Sequence, residues 1–378
     1  MTTMDALSKS VLPPTIRSRF VDHVNGLRMH VLEAGFDGGD RPCMVLLHGF
    51  PELAYSWRKI MPALAQAGFH VLAPDQRGYG RTTGWDGDYD GDVGSFRILN
   101  LVRDVLGLVA ALELGSVAGV VGHDFGAPVA AYCALVRPDV FRSLALMSAP
   151  FAGPPSLPTG EPARDPDIHA ALAALRPPRK HYQWYYSTRA ADGDMRNCAQ
   201  GVHAFLRAYY HYKSADWPGN KPFPLQSRSA EELAKLPTYY VMERDKGMAE
   251  TVAAEMPSAA RIVACGWLTE AELRVYSTEY ERTGFQGGLQ WYRCATSGTL
   301  NADLGTFSGR TIDVPSCFIA GASDWGVYQS PGAFERMRGT ACRRMLSCDL
   351  VDGAGHWVQQ EQAAEVSRLL KQFLEGIA

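Results

Sequence analysis

The sequence lacks several features that would assign the protein to a specialised class. It has no apolar run long enough to span a bilayer, and residues 1–14 have neither the apolar core nor the cleavage site of a signal peptide. Its formal net charge is only −3, which gives no reason to expect nucleic acid or an anionic membrane as a partner. The eight cysteines are scattered without the spacing of metal ligands. We therefore expect a cytoplasmic protein without a bound metal, and we predict no particular oligomeric state.

What the sequence does have is the composition and the alternating pattern of a large globular enzyme. Of its 378 residues, 46% are hydrophobic and 20% are charged. An early hairpin is predicted over residues 19–33, around Asn25-Gly26. The segments that are typical of buried parallel strands lie at residues 43–47, 70–73, 117–121, 143–147, 314–320 and 345–351. Between and after them, helical spacing predicts helices at residues 57–67, 98–114, 127–136 and 360–373.

This alternation is interrupted in the middle of the chain. Residues 153–166 contain five prolines and are predicted to form a linker. The following segment, up to residue 300, has helical spacing and holds eleven of the sixteen tyrosines. We therefore predict an α/β fold with a mostly parallel sheet in residues 1–152 and 301–378, and an inserted helical cap with its linkers in residues 153–300.

The most informative segment is Gly122-His123-Asp124-Phe125-Gly126, which lies between a predicted strand and a predicted helix. Glycines on both sides of one reactive residue are what the sharp turn of a nucleophile elbow requires. The residue at the apex is Asp124, and a carboxylate displaces a leaving group at an alkyl carbon to leave an ester on the enzyme. This excludes a serine-type esterase or lipase, and we expect His123 to be a buried packing residue.

Three further segments carry groups that an elbow at Asp124 needs. The loop at residues 48–51 follows a predicted strand, so the amides of Phe50 and Phe125 are predicted to form an oxyanion hole. His356 follows the last predicted strand and Asp324 follows the strand before it, which is the chain order of a nucleophile, acid and histidine triad on this kind of sheet.

The identity of the triad acid leaves an alternative open, because other acidic residues lie close in the sequence. Asp349 and Asp352 are near His356, whereas the strand at residues 143–147 is followed only by Ser148. The position of Asp324 directly after a predicted strand favours it as the acid that orients the imidazole.

In these segments the chain resembles the epoxide hydrolases of the α/β-hydrolase fold. The resemblance rests on residues 48–51, 75–80 and 122–126, and on two cap segments, residues 181–185 and 284–293. In that group a tyrosine precedes glutamine in the first cap segment and follows tryptophan in the second, and Tyr182 and Tyr292 match these positions. The resemblance implies an α/β-hydrolase fold, water as the only co-substrate and no cofactor.

The resemblance also implies a two-step reaction. Asp124 attacks an epoxide carbon while Tyr182 and Tyr292 donate hydrogen bonds to the ring oxygen, because two phenols stay neutral at pH 7 and can still protonate an alkoxide. His356, oriented by Asp324, then activates water to hydrolyse the ester and release a vicinal diol. The aromatic cap predicts an apolar substrate, and the candidates for the pocket wall are Trp184, Phe205, Phe285, Trp291 and Trp357.

Two alternatives to this reaction are considered. A hydrolytic haloalkane or haloacid dehalogenase uses the same kind of nucleophile, but a leaving halide needs N–H donors. The side chains of Phe50 and Phe125 offer none, and residues 125–128, just after the nucleophile, contain no arginine to hold a carboxylate. The second alternative is a non-catalytic ligand-binding protein on the same scaffold, which would not need a nucleophile, base, acid and oxyanion loop together.

Overall fold

The computed structural model describes residues 5–157 and 167–377 and shows a mostly parallel sheet that carries a helical cap. The sheet has eight strands in the order β1-β2-β4-β3-β5-β6-β9-β10, and only the pairs β1–β2 and β2–β4 are antiparallel. Its strands are β1 Ile16–Val24, β2 Leu27–Ala34, β3 Cys43–Leu47, β4 His70–Pro74, β5 Gly119–His123, β6 Leu144–Met147, β9 Ser316–Gly321 and β10 Met345–Val351. The predicted fold class and hairpin are therefore confirmed.

Fifteen α-helices occur in the part of the chain that the structure describes. In chain order they are α1 Met61–Gln66, α2 Ile98–Ala111, α3 Gly126–Val136, α4 Ile168–Ala174, α5 Tyr182–Tyr186, α6 Ala190–Arg196, α7 Gly201–Lys213, α8 Ala230–Leu233, α9 Met248–Ala253, α10 Ala259–Ala264, α11 Glu270–Thr283, α12 Gln286–Thr296, α13 Ala333–Arg336, α14 Val358–Glu361 and α15 Ala363–Glu375. Short 3-10 turns lie at Lys9–Val11, Ala54–Trp57, Val93–Phe96, Ala302–Phe307 and Trp325–Val327, and a π-turn at Met337–Ala341.

The first predicted helix differs from the structure at its N-terminus. Residues 57–67 are predicted to be one helix, whereas the structure has the 3-10 turn Ala54–Trp57 and then α1, with a proline in its first turn. Proline lacks an amide hydrogen and fixes φ near the helical value, so it favours the start of a helix at Met61 over the interior of a longer one.

The described residues of the cap, which lies between β6 and β9, are mostly helical and include two short strands. The strands β7 Arg179–His181 and β8 Val241–Glu243 pair in antiparallel register, and β7 leads directly into α5. Three-residue strands carry too little alternation to be predicted from sequence. The boundaries at residues 153 and 300 stay predictions, and most of the predicted linker at residues 153–166 lies outside the described residues.

The topology brings the sequence-predicted site residues to one edge of the sheet. Strands β3, β5, β6, β9 and β10 are parallel neighbours, so their carboxyl ends lie along the same edge. Asp124 follows β5 directly, Phe50 and Asp324 each come three residues after a strand, and His356 comes five residues after β10. None of the helices in residues 5–157 and 167–377 is long and apolar enough to cross a membrane.

Candidate active site

Asp124 lies on a strained turn between β5 and α3. Its φ is 50°, a left-handed conformation that is uncommon for a residue with a side chain. A Cβ atom on Gly122 would lie 2.2 Å from the carbonyl oxygen of Gly126, and one on Gly126 would lie 2.3 Å from that of Leu47. Both glycines are therefore required sterically, and the turn has the geometry of a nucleophile elbow.

The structure brings Asp124, His356 and Asp324 into contact. The Nε2 atom of His356 is 3.3 Å from Oδ2 of Asp124, and its Nδ1 atom is 3.1 Å from Oδ1 of Asp324. All three side chains are buried. Asp324 is held in turn by the amide of Gly326, which donates to its Oδ1 at 2.7 Å. The arrangement can orient an imidazole between a nucleophile and an acid.

The environment keeps the two aspartates ionised. Burial alone would raise the pKa of Asp124, but the imidazole of His356, whose Nε2 atom lies 3.3 Å from Oδ2, holds that pKa well below its usual range. Burial likewise opposes ionisation of Asp324, and the interactions with His356 still lower its pKa. Asp124 is therefore a carboxylate at neutral pH, which is the form that can attack carbon.

One of the two predicted oxyanion donors already contacts the nucleophile. The amide of Phe50 donates to Oδ1 of Asp124 at 3.0 Å, which leaves Oδ2 facing His356. Phe125 is the N-cap residue of α3, and the described residues include no corresponding hydrogen bond from its amide to Asp124. The second donor therefore remains a prediction.

The two cap tyrosines lie together close to the elbow. The rings of Tyr182 and Tyr292 are 5.9 Å apart, and the ring of Tyr292 packs edge-on against Phe50 and Phe125 at 5.5 and 5.1 Å. Burial first, and then the charge of Asp124, raises the pKa of both phenols well above the usual value. Both hydroxyls are therefore protonated at neutral pH and can act as donors.

The hydroxyls of these tyrosines have different partners. Tyr182 donates to Oε1 of Gln329 at 3.2 Å and accepts from Nε2 of Gln183 at 3.3 Å. In the part of the chain that the structure describes, the hydroxyl of Tyr292 has no hydrogen-bond partner. The hydroxyl of Tyr292 can therefore donate to a substrate without first breaking a hydrogen bond to a described residue.

Close backbone contact explains how the cap brings Tyr292 over the core. A Cβ atom on Gly287, in the first turn of α12, would lie only 2.0 Å from the carbonyl oxygen of Gly78. The glycine lets α12 pack directly on the loop after β4, and the indole N–H of Trp291 donates to the carbonyl of Arg77 at 2.9 Å. This contact holds the second cap segment against the elbow.

The candidate wall residues lie in different places. Phe285 packs against Phe50 at 6.2 Å, Trp291 against Phe125 at 5.3 Å, and Phe205 behind Phe285 at 5.6 Å. Trp357 packs on the ring of His356 at 4.6 Å. The structure does not bring Trp184 to this group, because its ring contacts those of His169 and His181 instead.

His123, expected to be a packing residue, has a polar role that the sequence analysis missed. Its Nδ1 atom is 2.5 Å from Oε2 of Glu52, and its Nε2 atom is 2.7 Å from the carbonyl oxygen of His356. Both neighbouring atoms are acceptors, so both ring nitrogens act as donors when Glu52 is ionised. Burial alone would lower the pKa of His123, but the Glu52 carboxylate raises it above its usual value.

Ser148 is a second residue that the sequence analysis did not include in the site. Its hydroxyl lies 2.9 Å from Nδ1 of His356, beside Asp324. The sequence signal that could have placed Ser148 in the site was its position directly after β6, the strand next to β5 in the sheet. In residues 5–157 and 167–377, no group of three or more His, Cys, Asp or Glu side chains is arranged to hold a metal ion.

Comparisons with known proteins agree with this fold. A family described as the alpha/beta hydrolase fold matches residues 42–363. Epoxide hydrolase A of Mycobacterium tuberculosis is 35% identical, covering 95% of this chain and 97% of its own, and epoxide hydrolase B of the same organism is 33% identical, covering 93% and 96%. Among solved structures, an epoxide hydrolase from an endophytic Streptomyces superposes with a TM-score of 0.75 at 31% identity, covering 96% of each chain. Epoxide hydrolase I of potato (Solanum tuberosum) superposes with a TM-score of 0.72 at 29% identity, covering 96% of this chain and 99% of its own.

Proposed function

The chain belongs to the epoxide hydrolases of the α/β-hydrolase fold, and from this membership we propose that it converts an apolar epoxide to a vicinal diol through a covalent ester on Asp124. The observation that carries the proposal is the contact of Asp124 with His356 on one side, together with the two neutral phenols of the cap close to the same carboxylate. A carboxylate and two phenols are the groups that ring opening needs, because one attacks carbon while the others donate to the leaving oxygen.

In the first step, Oδ2 of Asp124 attacks an epoxide carbon. Oδ1 accepts the hydrogen bond from the Phe50 amide and becomes the carbonyl oxygen of the ester. The carbon–oxygen bond of the ring breaks as the hydroxyls of Tyr182 and Tyr292 donate to the ring oxygen, and one of them transfers its proton. One positioned acid typically contributes roughly 10²–10⁴-fold to such a step.

In the second step, His356 activates water for attack on the ester carbonyl. Its Nε2 atom faces Oδ2 of Asp124, the oxygen that becomes alkylated, so a water molecule beside this nitrogen approaches the same ester. Asp324 stabilises the imidazolium that forms. The amides of Phe50 and Phe125 donate to the oxyanion. Its collapse breaks the bond between the ester carbon and the alkylated oxygen, and the imidazolium of His356 protonates that oxygen as the diol leaves. The proton left on the acid returns to the cap phenolate, which regenerates the Asp124 carboxylate.

The finer features of the substrate and its setting are part of the proposal. The side chains of Phe50, Phe285, Trp291 and Tyr292 pack around the elbow, which supports an epoxide with aryl or alkyl substituents rather than a charged one. We also propose that the protein acts in the cytoplasm, without nucleic acid or membrane as a partner.

The test is intact-protein mass spectrometry on His356→Gln, incubated in parallel with styrene oxide and with a 1-haloalkane. Without the base, the ester should form but hydrolyse slowly, so we expect a mass gain equal to the whole epoxide that is lost in His356→Gln/Asp124→Ala. A gain equal to the haloalkane minus hydrogen halide would instead identify a dehalogenase. No adduct with either compound would favour a binding protein.

A further inference from the structure

Lys213, the last residue of α7, places its side-chain amine in the interior of the cap. Only 3% of the residue is exposed. Its Nζ atom lies 5.0–5.8 Å from the centres of four aromatic rings, those of Tyr209, Tyr239, Tyr240 and Trp357. Within the described residues the ammonium forms no hydrogen bond and no ion pair. Lysine is almost never buried in this way unless a nearby charge compensates it.

The nearest charges that favour the ammonium form belong to the candidate active site. Burial lowers the pKa of Lys213, and the carboxylates of Asp124, Asp324 and Glu52 oppose that effect. The surrounding rings add favourable interactions, because the face of an aromatic ring attracts a cation. The catalytic carboxylates thus favour the ammonium form of Lys213 from a distance, without a direct contact.

Lys213 is also joined to the loop that carries His356. Its carbonyl oxygen accepts a hydrogen bond from the amide of His356 at 2.9 Å. Trp357, which forms one wall around the ammonium, packs on the imidazole of His356 with ring centres 4.6 Å apart. The cap residue and the catalytic histidine therefore share both a main-chain and a side-chain contact.

We propose that Lys213 is a positioning residue for the hydrolytic step, whose carbonyl holds the His356 loop and whose ammonium keeps the imidazole of His356 in its neutral, basic form. The proposal rests on the proposed function, because it concerns the ester on Asp124. The other groups that face His356 are Asp124, Asp324, Ser148 and the His123 ring, whose centre is 5.0 Å from that of His356.

The ammonium matters most after the ester has formed. Asp124 is then neutral and no longer favours the imidazolium form of His356, whereas Asp324 still does. Lys213 opposes Asp324, so that His356 stays free to accept a proton from water. At an effective dielectric constant of about 20, Coulomb's law gives a change in proton affinity of about one pH unit for a unit charge on the order of 10 Å from an ionisable group, and we take this as the size of the effect. Removing the ammonium should therefore favour the imidazolium and slow hydrolysis at the acidic end of the pH range.

The experiment is a single-turnover measurement with styrene oxide between pH 5 and 9, in which intact mass follows formation and loss of the alkyl-enzyme. For Lys213→Met we expect the acidic limb of the hydrolysis rate to shift upward by about one pH unit, so that alkyl-enzyme accumulates near neutral pH. Formation of the ester at pH 8 should change by less than about threefold, because Asp124 is ionised there in either protein.

Two variants separate charge from packing. Lys213→Arg keeps the cation and should leave the acidic limb within a few tenths of a pH unit, and Tyr239→Phe, which alters the ring cage without changing charge, should do the same. Lys213→Gln replaces Lys213→Met if the latter does not fold. A uniform loss of the hydrolysis rate with an unmoved limb would overturn the proposal, as would equal shifts in the arginine and methionine variants. If no ester forms in the unsubstituted protein or in His356→Gln, the proposed function fails together with this inference.

Discussion

The two cap phenols should contribute unequally to ester formation, and we expect Tyr292→Phe to be more harmful than Tyr182→Phe. The hydroxyl of Tyr292 forms no hydrogen bond to a described residue, whereas that of Tyr182 must break its 3.2 Å hydrogen bond to Gln329 before it can donate to an epoxide. Breaking that bond offsets about 1 kcal/mol of the transition-state stabilisation that Tyr182 contributes, which corresponds to a factor of about five in rate.

The magnitudes follow from the chemistry of the developing alkoxide. Removing one preorganised donor from an oxyanion typically costs roughly 10²–10³-fold, so we expect Tyr292→Phe to slow ester formation to this extent. The loss for Tyr182→Phe should be about five times smaller. The double variant should lose more than either single variant, because both phenols are proposed to donate to the same oxygen.

The assay is the rate of adduct formation with styrene oxide under single-turnover conditions, followed by quenching and intact mass measurement. Tyr186→Phe is the matched control, because its ring packs on Tyr292 at 4.9 Å while its hydroxyl donates to Tyr209. It should change the rate by less than about threefold. If Tyr182→Phe proves as harmful as Tyr292→Phe, or the control proves equally harmful, the assignment of the donors from their hydrogen bonds is refuted.

Two further predictions concern packing and pH. Gly287→Ala should lower both the melting temperature and epoxide turnover more than Gly298→Ala does. A Cβ at residue 287 would lie 2.0 Å from the Gly78 carbonyl oxygen, whereas one at residue 298 would meet nothing within 4 Å. Equal effects of the two variants in melting and activity assays would contradict the close contact. Burial would raise the pKa of Asp75, but His30 lowers it to about 2. The carboxylate therefore stabilises the fold at pH values above its unfolded-state pKa near 4, and the free energy of unfolding should fall by about 2 kcal/mol as pH falls from about 4 to 2. Urea unfolding should show this loss in the unsubstituted protein and not in Asp75→Asn. Parallel curves of unfolding free energy against pH for the two proteins would contradict the prediction.

The fold was predictable because its signals are local. Short apolar runs and helical spacing are properties of neighbouring residues, and the chain order of the segments around Asp124, Asp324 and His356 restricts them to one edge of a parallel sheet. The start of α1 was missed because helical periodicity does not register the effect of a proline in the first turn. The strands β7 and β8 were missed because each is only three residues long.

The groups around the triad were harder to predict because they depend on contacts between distant segments. Glu52 and His123 are 71 residues apart, and the bond of His123 to the carbonyl of His356 joins residues 233 positions apart. Nothing in the sequence near Lys213 distinguishes it from the exposed lysine of an ordinary helix end. Its burial appears only when α7, the segment around Tyr239 and Tyr240 and the loop of His356 pack together.

These distant contacts also explain how one site can support two different steps. The first uses a negative charge on Asp124, and the second creates an oxyanion and an imidazolium. In the resting site, the carboxylates of Asp124, Asp324 and Glu52 lie close to three basic side chains, those of His356, His123 and Lys213, and Asp124 is held in the ionised form that attacks the epoxide. On the proposed mechanism, esterification neutralises Asp124 and moves its negative charge through the epoxide oxygen to a cap phenolate. The oxyanion and imidazolium of the second step then form as a pair beside these fixed polar groups. The fixed polar groups of a buried site stabilise such a pair without having to reorganise, whereas an apolar pocket around the triad alone would oppose formation of the pair.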